Sequence, residues 1–435
     1  VLDGPPSLPL DLPTALGLTQ GQNPRVAFTQ AQISQAYAQY QAARVLWLPS
    51  IRAGMNYNKH EGRIQNVEGR NIETTRGAAY GGLGASAVGA GSPAVPGLQM
   101  RFHLADAVYQ PRIANANLAA RQALGAATLN DQLLATALAY LELLEALQRK
   151  AIADETLKHG EELAELTAEF ARTGAGNQAD ADRAAAALAL FRNEAVRAEE
   201  EIEIASARVA QQLSADPSIL IVPQEPGLVP IDLVPPGQPL PDLVAMGLSN
   251  RPELSASRSL VNEAVNRLER ERHAPWLPSM LLGISYGEFG AARGSETWRP
   301  ADRFDLDAAA WWEVRNLGFG ERAARNQAQS QIMQARMREV ETMDLVAREV
   351  VEAAVEAEDR RPITIAQEGI TRAQQSYDRN LERIRNAQGL PIEVLQSIQA
   401  LDAARREYLR SVTDFNQAQF RLQRALGWPV APPAP

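Results

Sequence analysis

Apolar residues recur at alternating steps of four and three between Pro111 and Thr173: Leu133, Ala137, Tyr140, Leu144, Leu147 and Ala151. That spacing is the seam of a coiled coil. A second stripe, Leu134, Leu138 and Leu141, runs beside it, so this helix is expected to pack on two sides. Strong helix formers dominate the stretch and no proline follows Pro111. About 63 residues rising ~1.5 Å each make a rod of roughly 95 Å, longer than a compact domain requires. Gly320 to Ala387 reads as a second rod of similar length, with Pro362 inside it. Each rod ends at a glycine-bearing turn, Thr173-Gly174-Ala175-Gly176-Asn177 and Asn386-Ala387-Gln388-Gly389-Leu390-Pro391, and reverses into a shorter helix. In the last helix Val394, Ile398, Leu401, Tyr408, Val412, Phe415, Leu422 and Leu426 keep the four-three spacing, with Arg405 and Gln419 as polar interruptions.

Ahead of each rod the period changes from 3.6 to 2. Ile51, Ala53, Met55 and Tyr57 form one alternating run, and Leu98, Met100, Phe102 and Leu104 another. Met280, Leu282, Ile284 and Tyr286 form a third, and Phe304, Leu306, Ala308, Ala310, Trp312 and Val314 a fourth. These predict four strands in two hairpins, each about 9 to 11 residues, the length that crosses a bilayer when tilted. The first hairpin is expected to carry a long Gly-rich loop over roughly 59–96, the second a shorter one over roughly 287–302.

The same grammar occurs twice. Asn23-Pro24 and Arg251-Pro252 each open a helix, and both helices run into the same tetrapeptide, Trp47-Leu48-Pro49-Ser50 and Trp276-Leu277-Pro278-Ser279. An offset of about 229 residues kept over such a stretch is an internal repeat. The first repeat is expected over 1–239: helix 24–47, β-hairpin 48–109, long helix 111–173, helix 178–214 and a proline-rich linker 215–239. The second is expected over 240–435: helix 252–274, hairpin 277–316, long helix 320–387, helix 391–426 and a tail. Two short helices laid end to end match one rod, which predicts antiparallel helical pairs with a hairpin at one end and a tight turn at the other. The fold class is therefore mainly α with a small β part. Four strands cannot close a barrel in lipid without leaving edges unpaired, so closure needs several chains.

Composition narrows the function classes. The 435 residues carry a net charge of −9 and no basic block, which argues against nucleic acid as a partner. There is no cysteine, hence no disulfide, thiolate metal site or cysteine nucleophile. The chain opens at Val1, which fits a leader already removed. No apolar run is long enough for a transmembrane helix, so a membrane-spanning reading requires strands. The histidines, His60, His103, His159 and His273, fall in different elements without ligand spacing. Gly81-Gly82-Leu83-Gly84 and Gly89-Ala90-Gly91 precede no helix, so neither reads as a phosphate-cradling loop. The expectation is a protein with no catalytic residues, cofactor or metal.

The ordered set of short helix, Trp-Leu-Pro-Ser, hairpin, rod, turn and helix resembles the TolC family of outer-membrane efflux channels, the outer membrane factors. So does the ending Tyr408-Leu409 through Phe415-Asn416-Gln417-Ala418-Gln419 to Ala425-Leu426-Gly427. The resemblance runs from about Leu12 to Gly427. It implies a homotrimer with a twelve-stranded transmembrane β-barrel in the outer membrane of a Gram-negative-type bacterium. It also implies an α-barrel of coiled-coil helices crossing the periplasm. The expected partners are a periplasmic adaptor (membrane fusion) protein, an inner-membrane pump of an efflux or type I secretion system, and outer-membrane lipid. The lipid-anchored branch of that family starts with an acylated cysteine, which this sequence lacks.

The resemblance also assigns candidate residues. Acids just past each tip turn match the ring that closes the family's entrance: Asp180 and Asp182 after the first turn, Glu393 after the second. Arg172 and Arg385, just before the turns, are candidate latches. The competing reading makes the acids ordinary helix-start residues that suit the helix dipole. Gly389 and Leu390 match the glycine-hydrophobic pair that receives the adaptor, with Gly174 and Gly176 at the other tip. Simple turn chemistry accounts for the glycines equally. Alternation puts Met100, Phe102, Phe304, Leu306 and Trp312 on the lipid side, and Trp47, Trp276, Trp298, Trp311 and Trp312 fit aromatic girdles or helix-to-strand joints. The alternative function is a periplasmic or soluble coiled-coil scaffold or adaptor without a channel. The four matched strands of bilayer length separate the two readings, since a scaffold has no use for them.

Overall fold

A computed structural model describes residues 7–48, 50–51, 53–83, 98–291, 301–386 and 388–430. In chain order the elements are β1 (Ser7–Leu10), α1 (Leu12–Gln22), α2 (Pro24–Arg44), β2 (Ser50–Ile51), β3 (Ala53–Gln65), β4 (Asn71–Leu83), β5 (Leu98–His103), α3 (Leu104–Thr173) and α4 (Gln178–Leu213). There follow β6 (Leu220–Pro223), α5 (Leu240–Asn250), α6 (Pro252–His273), β7 (Ser279–Ala291), β8 (Ala301–Trp311), α7 (Phe319–Glu358), α8 (Arg361–Arg385) and α9 (Pro391–Ala425). Short 3-10 turns at Val45–Trp47 and Ala274–Trp276 end α2 and α6 at matching places. The chain forms two compact units, one from Val1–Ala31, Ala123–Ser255 and Val340–Pro435, the other from Gln32–Gln122 and Ala256–Glu339. Each unit draws residues from both halves of the chain.

The second unit holds one antiparallel sheet. β3 pairs with β4, β2 with β5, and β7 pairs along one edge with both β5 and β4 and along the other with β8. Its register sets apolar positions in rows across the strands: Ile51, Leu98, Ile284, Leu306 in one, and Ala53, Leu83, Tyr286, Phe304 in the next. Opposed residues in an antiparallel register share a face, so alternation within strands becomes a band across the sheet. Among the described residues the outer edges of β3 and β8 have no strand partner.

Two expectations about this region change. The first hairpin does not open into a loop at Lys59: β3 continues to Gln65 and reverses through Asn66 to Arg70. There the Asn66 side-chain oxygen accepts the N–H groups of Glu68 and Arg70 at 3.1 and 2.9 Å, and Gly69 takes φ +85°. An asparagine that bonds its own loop, followed by a glycine, is strong turn chemistry that outweighs the Gly-rich stretch downstream. The long helix α3 also starts earlier than Pro111, at Leu104, which is not a strand residue. His103 explains the start: its Nδ1 accepts the Ala105 N–H at 3.0 Å, an N-cap contact, and Asp106 lies in the first turn.

Among the described residues the first unit consists of helices, the proline-rich linker and the parallel pair of β1 with β6. Its main cluster joins Tyr140, Leu141, Leu143 and Leu144 of α3, Val209 and Leu213 of α4, and Val412, Phe415 and Phe420 of α9. The Tyr140 hydroxyl lies 2.8 Å from the Leu10 carbonyl and also contacts the Glu225 carboxylate, which accepts the Leu12 N–H at 3.0 Å. One coiled-coil tyrosine thus holds the extended N-terminal segment and the linker in place. Burial, followed by the hydrogen bond to Glu225, pushes its pKa up. Gln419 proves to be an anchor: its Oε1 accepts the Leu233 and Val234 N–H groups and its Nε2 donates to the Ala357 carbonyl at 2.9 Å. Asn416 does the same for Val229 and Ile231, both contacts at 2.8 Å. The proline-rich linker cannot satisfy its own backbone, and these buried amides do it.

The expected single rod over 320–387 is two helices, interrupted at Asp359 and Arg360. Pro362 lies in the first turn of α8, where its missing N–H costs nothing. Asp359 accepts the Arg361 N–H at 3.0 Å and pairs with its guanidinium at 2.8 Å, and those contacts hold its carboxyl down at about 2. Arg360 pairs with Asp232 and lies 4.9 Å from the centre of the Phe415 ring. After α9 the chain turns at Gly427 with φ +76°, where a Cβ would come within 2.7 Å of the Asn250 backbone.

Candidate functional site: the two helix-tip turns

Both tip turns belong to the first unit. At the first, Gly174 takes φ +77° and the Gly176 N–H reaches back to the Phe170 carbonyl at 2.9 Å. A side chain at Gly176 would come within 2.9 Å of the Phe170 Cβ. Both glycines are therefore required by the reversal itself. Asn177 then caps α4, its side chain accepting the Ala179 N–H at 3.1 Å. Asp180 stands in the first turn of α4 and pairs with Arg183 at 2.9 Å, while Asp182 accepts from Gln178 at 2.9 Å.

At the second turn Gly389 is pressed against the backbone of Arg383 and Ile384, with 3.0 Å left for a Cβ. Leu390 follows, 59% exposed although apolar. Glu393 faces back over the start of α9: its carboxylate accepts the Leu390 N–H at 3.4 Å, while its own N–H donates to the Leu390 carbonyl at 3.0 Å. Its carboxylate also pairs with Arg383 at 3.1 Å. Asp180 and Glu393 thus stand at helix starts, each paired with an arginine, whereas Asp182 is held by Gln178.

Those partners are not the expected ones. Arg172 pairs with Glu169 at 2.6 Å, and Arg385 pairs with Glu162 on α3. Sequence reasoning chose the arginine nearest each turn and missed Arg183 and Arg383. The signal was available for Arg183, which stands three residues after Asp180 on one helix face. For Arg383 only the reversal of the chain decides.

The helices that carry the two turns share one apolar cluster. Leu163 of α3, Ala184 and Ala187 of α4, Tyr377 and Ile384 of α8, and Val394, Ile398 and Leu401 of α9 build it. His159 stacks on Tyr377 with ring centres 4.4 Å apart. Burial pulls the His159 pKa down and lifts that of Tyr377 to about 12. Ion pairs join α9 to α3 and α4 beside it: Arg405 with Glu155 at 2.5 Å, and Arg406 with Glu194 at 2.5 Å, while Asp402 of the same helix holds Arg406 at 2.9 Å. The Arg406 hydrogen bond lowers the Glu194 pKa. The tips are two exposed turns, one with an apolar knob, on an apolar and ionic base. Among the described residues no group of His, Cys, Asp and Glu side chains could hold a metal.

In the second unit the candidate membrane residues fall in the aligned rows. Met100 and Phe102 sit opposite Leu282 and Met280, and Leu306 and Phe304 opposite Ile284 and Tyr286. Leu306 and Phe304 are 70% and 64% exposed. Trp312 lies just past the end of β8, and its indole N–H donates to the Trp276 carbonyl at 3.2 Å, a helix-to-strand joint. Trp298 lies outside the described residues. Among the described residues no helix is long and apolar enough to cross a membrane.

Long helices that reverse at two glycine turns, and a six-stranded sheet whose β3 and β8 edges have no strand partner among the described residues, define a class: the fold is that of the TolC-like outer-membrane channels. No protein-family model matches the sequence, and no curated protein matches it. Solved structures do. The outer membrane protein VceC of Vibrio cholerae superposes with TM-score 0.79 at 15% identity, covering 96% of this chain and 96% of that one. The CmeC outer membrane channel of Campylobacter jejuni gives TM-score 0.82 at 15% identity, over 96% of this chain and 85% of its own. A membrane protein from Pseudomonas aeruginosa gives 0.82 at 18%, over 98% and 93%.

Proposed function

We propose that this chain is one protomer of a trimeric outer-membrane channel that passes substrates to the cell exterior from an inner-membrane pump and a periplasmic adaptor. The pump belongs to an efflux or a type I secretion system, and the channel performs no catalysis. The observation that carries this reading is the sheet: six strands that fall in four lines (β2 with β3, β5 with β4, β7, and β8), apolar positions aligned in rows, and the edges of β3 and β8 unpaired among the described residues. Such edges are a liability unless another strand covers them. Three copies, edge to edge, would close twelve strands with the rows facing lipid. The likeness in fold to outer-membrane channels supports the same conclusion.

In this reading the tips gate the channel and receive the adaptor. Asp180 and Glu393 form the entrance ring, with Asp182 beside it, and Arg183 and Arg383 hold the acids until the tips part. Arg172 and Arg385 steady the helix ends through Glu169 and Glu162. Carboxylates gathered from three chains repel one another and favour bound cations. Single-channel recording in planar bilayers tests this. The wild-type chain should conduct with cation preference and be blocked by multivalent cations. Asp180→Asn with Glu393→Gln should lose both properties while trimers persist. Unchanged selectivity and block in that double variant would reduce the acids to helix-start residues.

Gly174, Gly176, Gly389 and Leu390 form the adaptor contact, with Leu390 as the exposed apolar knob. Leu390→Glu should leave trimers in the membrane and reduce export at least tenfold, with adaptor cross-linking lost in parallel. Export and cross-linking at wild-type levels would place the contact elsewhere.

A further inference from the structure

Beneath the interruption between α7 and α8 lies a cavity of about 140 Å³ within the first unit. Its base is apolar, built from Val234 of the linker, Leu243 of α5, Ala354 of α7 and Leu422 of α9, all buried. A dry cavity of about 150 Å³ holds a benzene molecule, so this one accepts a six-membered ring. Gln238 lines the same cavity, and its buried side-chain oxygen has no hydrogen-bond partner among the described residues. Gln419, the other amide of the lining, has its oxygen and nitrogen engaged with the linker and Ala357. A buried acceptor left unpaired carries a desolvation cost that a donor from a ligand relieves. At the mouth the Asp232–Arg360 ion pair neutralises itself, which leaves the exposed carboxylate of Glu358 as the surplus charge.

An apolar base for one ring, an unpaired acceptor in the wall and a negative mouth select one ligand chemistry. We propose that this cavity binds a small organic amine: an aromatic or cyclic body in the base, with an ammonium donating to Gln238 and facing Glu358. Such a ligand would touch Ala354 and Glu358 on α7 and Arg360 in the interruption itself, and so would link the end of α7 to the interruption. The site is independent of the tip turns and of the channel reading.

Saturation-transfer NMR on the full-length detergent-solubilised protein tests the proposal, with benzylamine as the probe and benzyl alcohol as its uncharged analogue. Benzylamine should bind, and about tenfold more tightly than the alcohol, which corresponds to ~1.4 kcal/mol. Val355→Trp, at an exposed rim position, should abolish binding of both by filling the mouth, with an unchanged circular dichroism melt. Gln238→Leu should weaken both probes, and Glu358→Gln should erase the preference for the amine. Benzylamine binding that survives Val355→Trp and Gln238→Leu would overturn the site. Equal affinity for amine and alcohol in the wild type would overturn the ligand class, and absence of benzylamine binding would overturn both.

Discussion

Leu306→Arg is expected to abolish assembly in the membrane. Leu306 lies mid-strand in β8, 70% exposed in the single chain, in the row Ile51, Leu98, Ile284, Leu306. In the proposed barrel that row faces lipid. An arginine near the middle of a bilayer costs about 2–4 kcal/mol per copy, and a trimer would carry three. Ala309→Arg provides the contrast. Ala309 lies in the row with Leu281 and Arg101, which already contains an arginine, and so belongs to the other face. The first variant should run as a monomer on unheated gels and give no conductance, while the second should assemble and conduct. Assembly of Leu306→Arg at wild-type yield would refute the barrel. Failure of both variants alike would show that neither face tolerates an added arginine, and would remove the distinction between the faces.

Arg251→Ala should be the most damaging substitution in the helical unit. Arg251 is 3% exposed and chelates Glu253 with contacts of 2.9 and 3.0 Å, while its remaining nitrogen reaches Glu349 at 2.8 Å. Arg424 closes the cluster on Glu253, Glu349 and Asp131. Removing one partner of a buried pair costs about 3–5 kcal/mol, because the other charge stays buried. Since Arg424 remains, a loss of about 3 kcal/mol is expected, at the low end of that range.

The pH dependence has a definite sign. Burial works to raise the Glu253 pKa, but the hydrogen bond and charge of Arg251 outweigh it, and the net value is lowered. In the wild type, Glu253 therefore contributes stability that is present above the ordinary carboxylate pKa and is lost as pH falls through its depressed value. Without Arg251 the strongest opposition to burial is gone and Arg424 is the arginine that remains, so the destabilisation should be smaller at pH 5 than at pH 7. Chemical denaturation at the two pH values checks this. A destabilisation of equal size at both would show that Glu253 is not the group left unpaired.

The order of the helices, the two tip turns and the four alternating strand segments were legible because they rest on local rules, whereas β4 fell within the expected loop. A four-three spacing, a two-residue period, a proline at a helix start and a glycine at a helix end are each set by neighbours in the chain. The matched dipeptides Asn23-Pro24 and Arg251-Pro252 marked two helix starts correctly. What those two polar residues do was not legible. Asn23 bonds Gln132 and the Gln212 carbonyl, whereas Arg251 organises a carboxylate cluster, and both arrangements depend on residues about a hundred or more positions away. The interruption of the second rod, the role of Gln419 as an anchor and the choice of Arg383 over Arg385 belong to the same category. So does the cavity under the interruption. Period and propensity depend on a few residues at a time, and the sequence by itself therefore determined the elements and their faces. Burial, ion pairing and satisfaction of the linker backbone depend on which distant segments meet, and only the tertiary structure decided them.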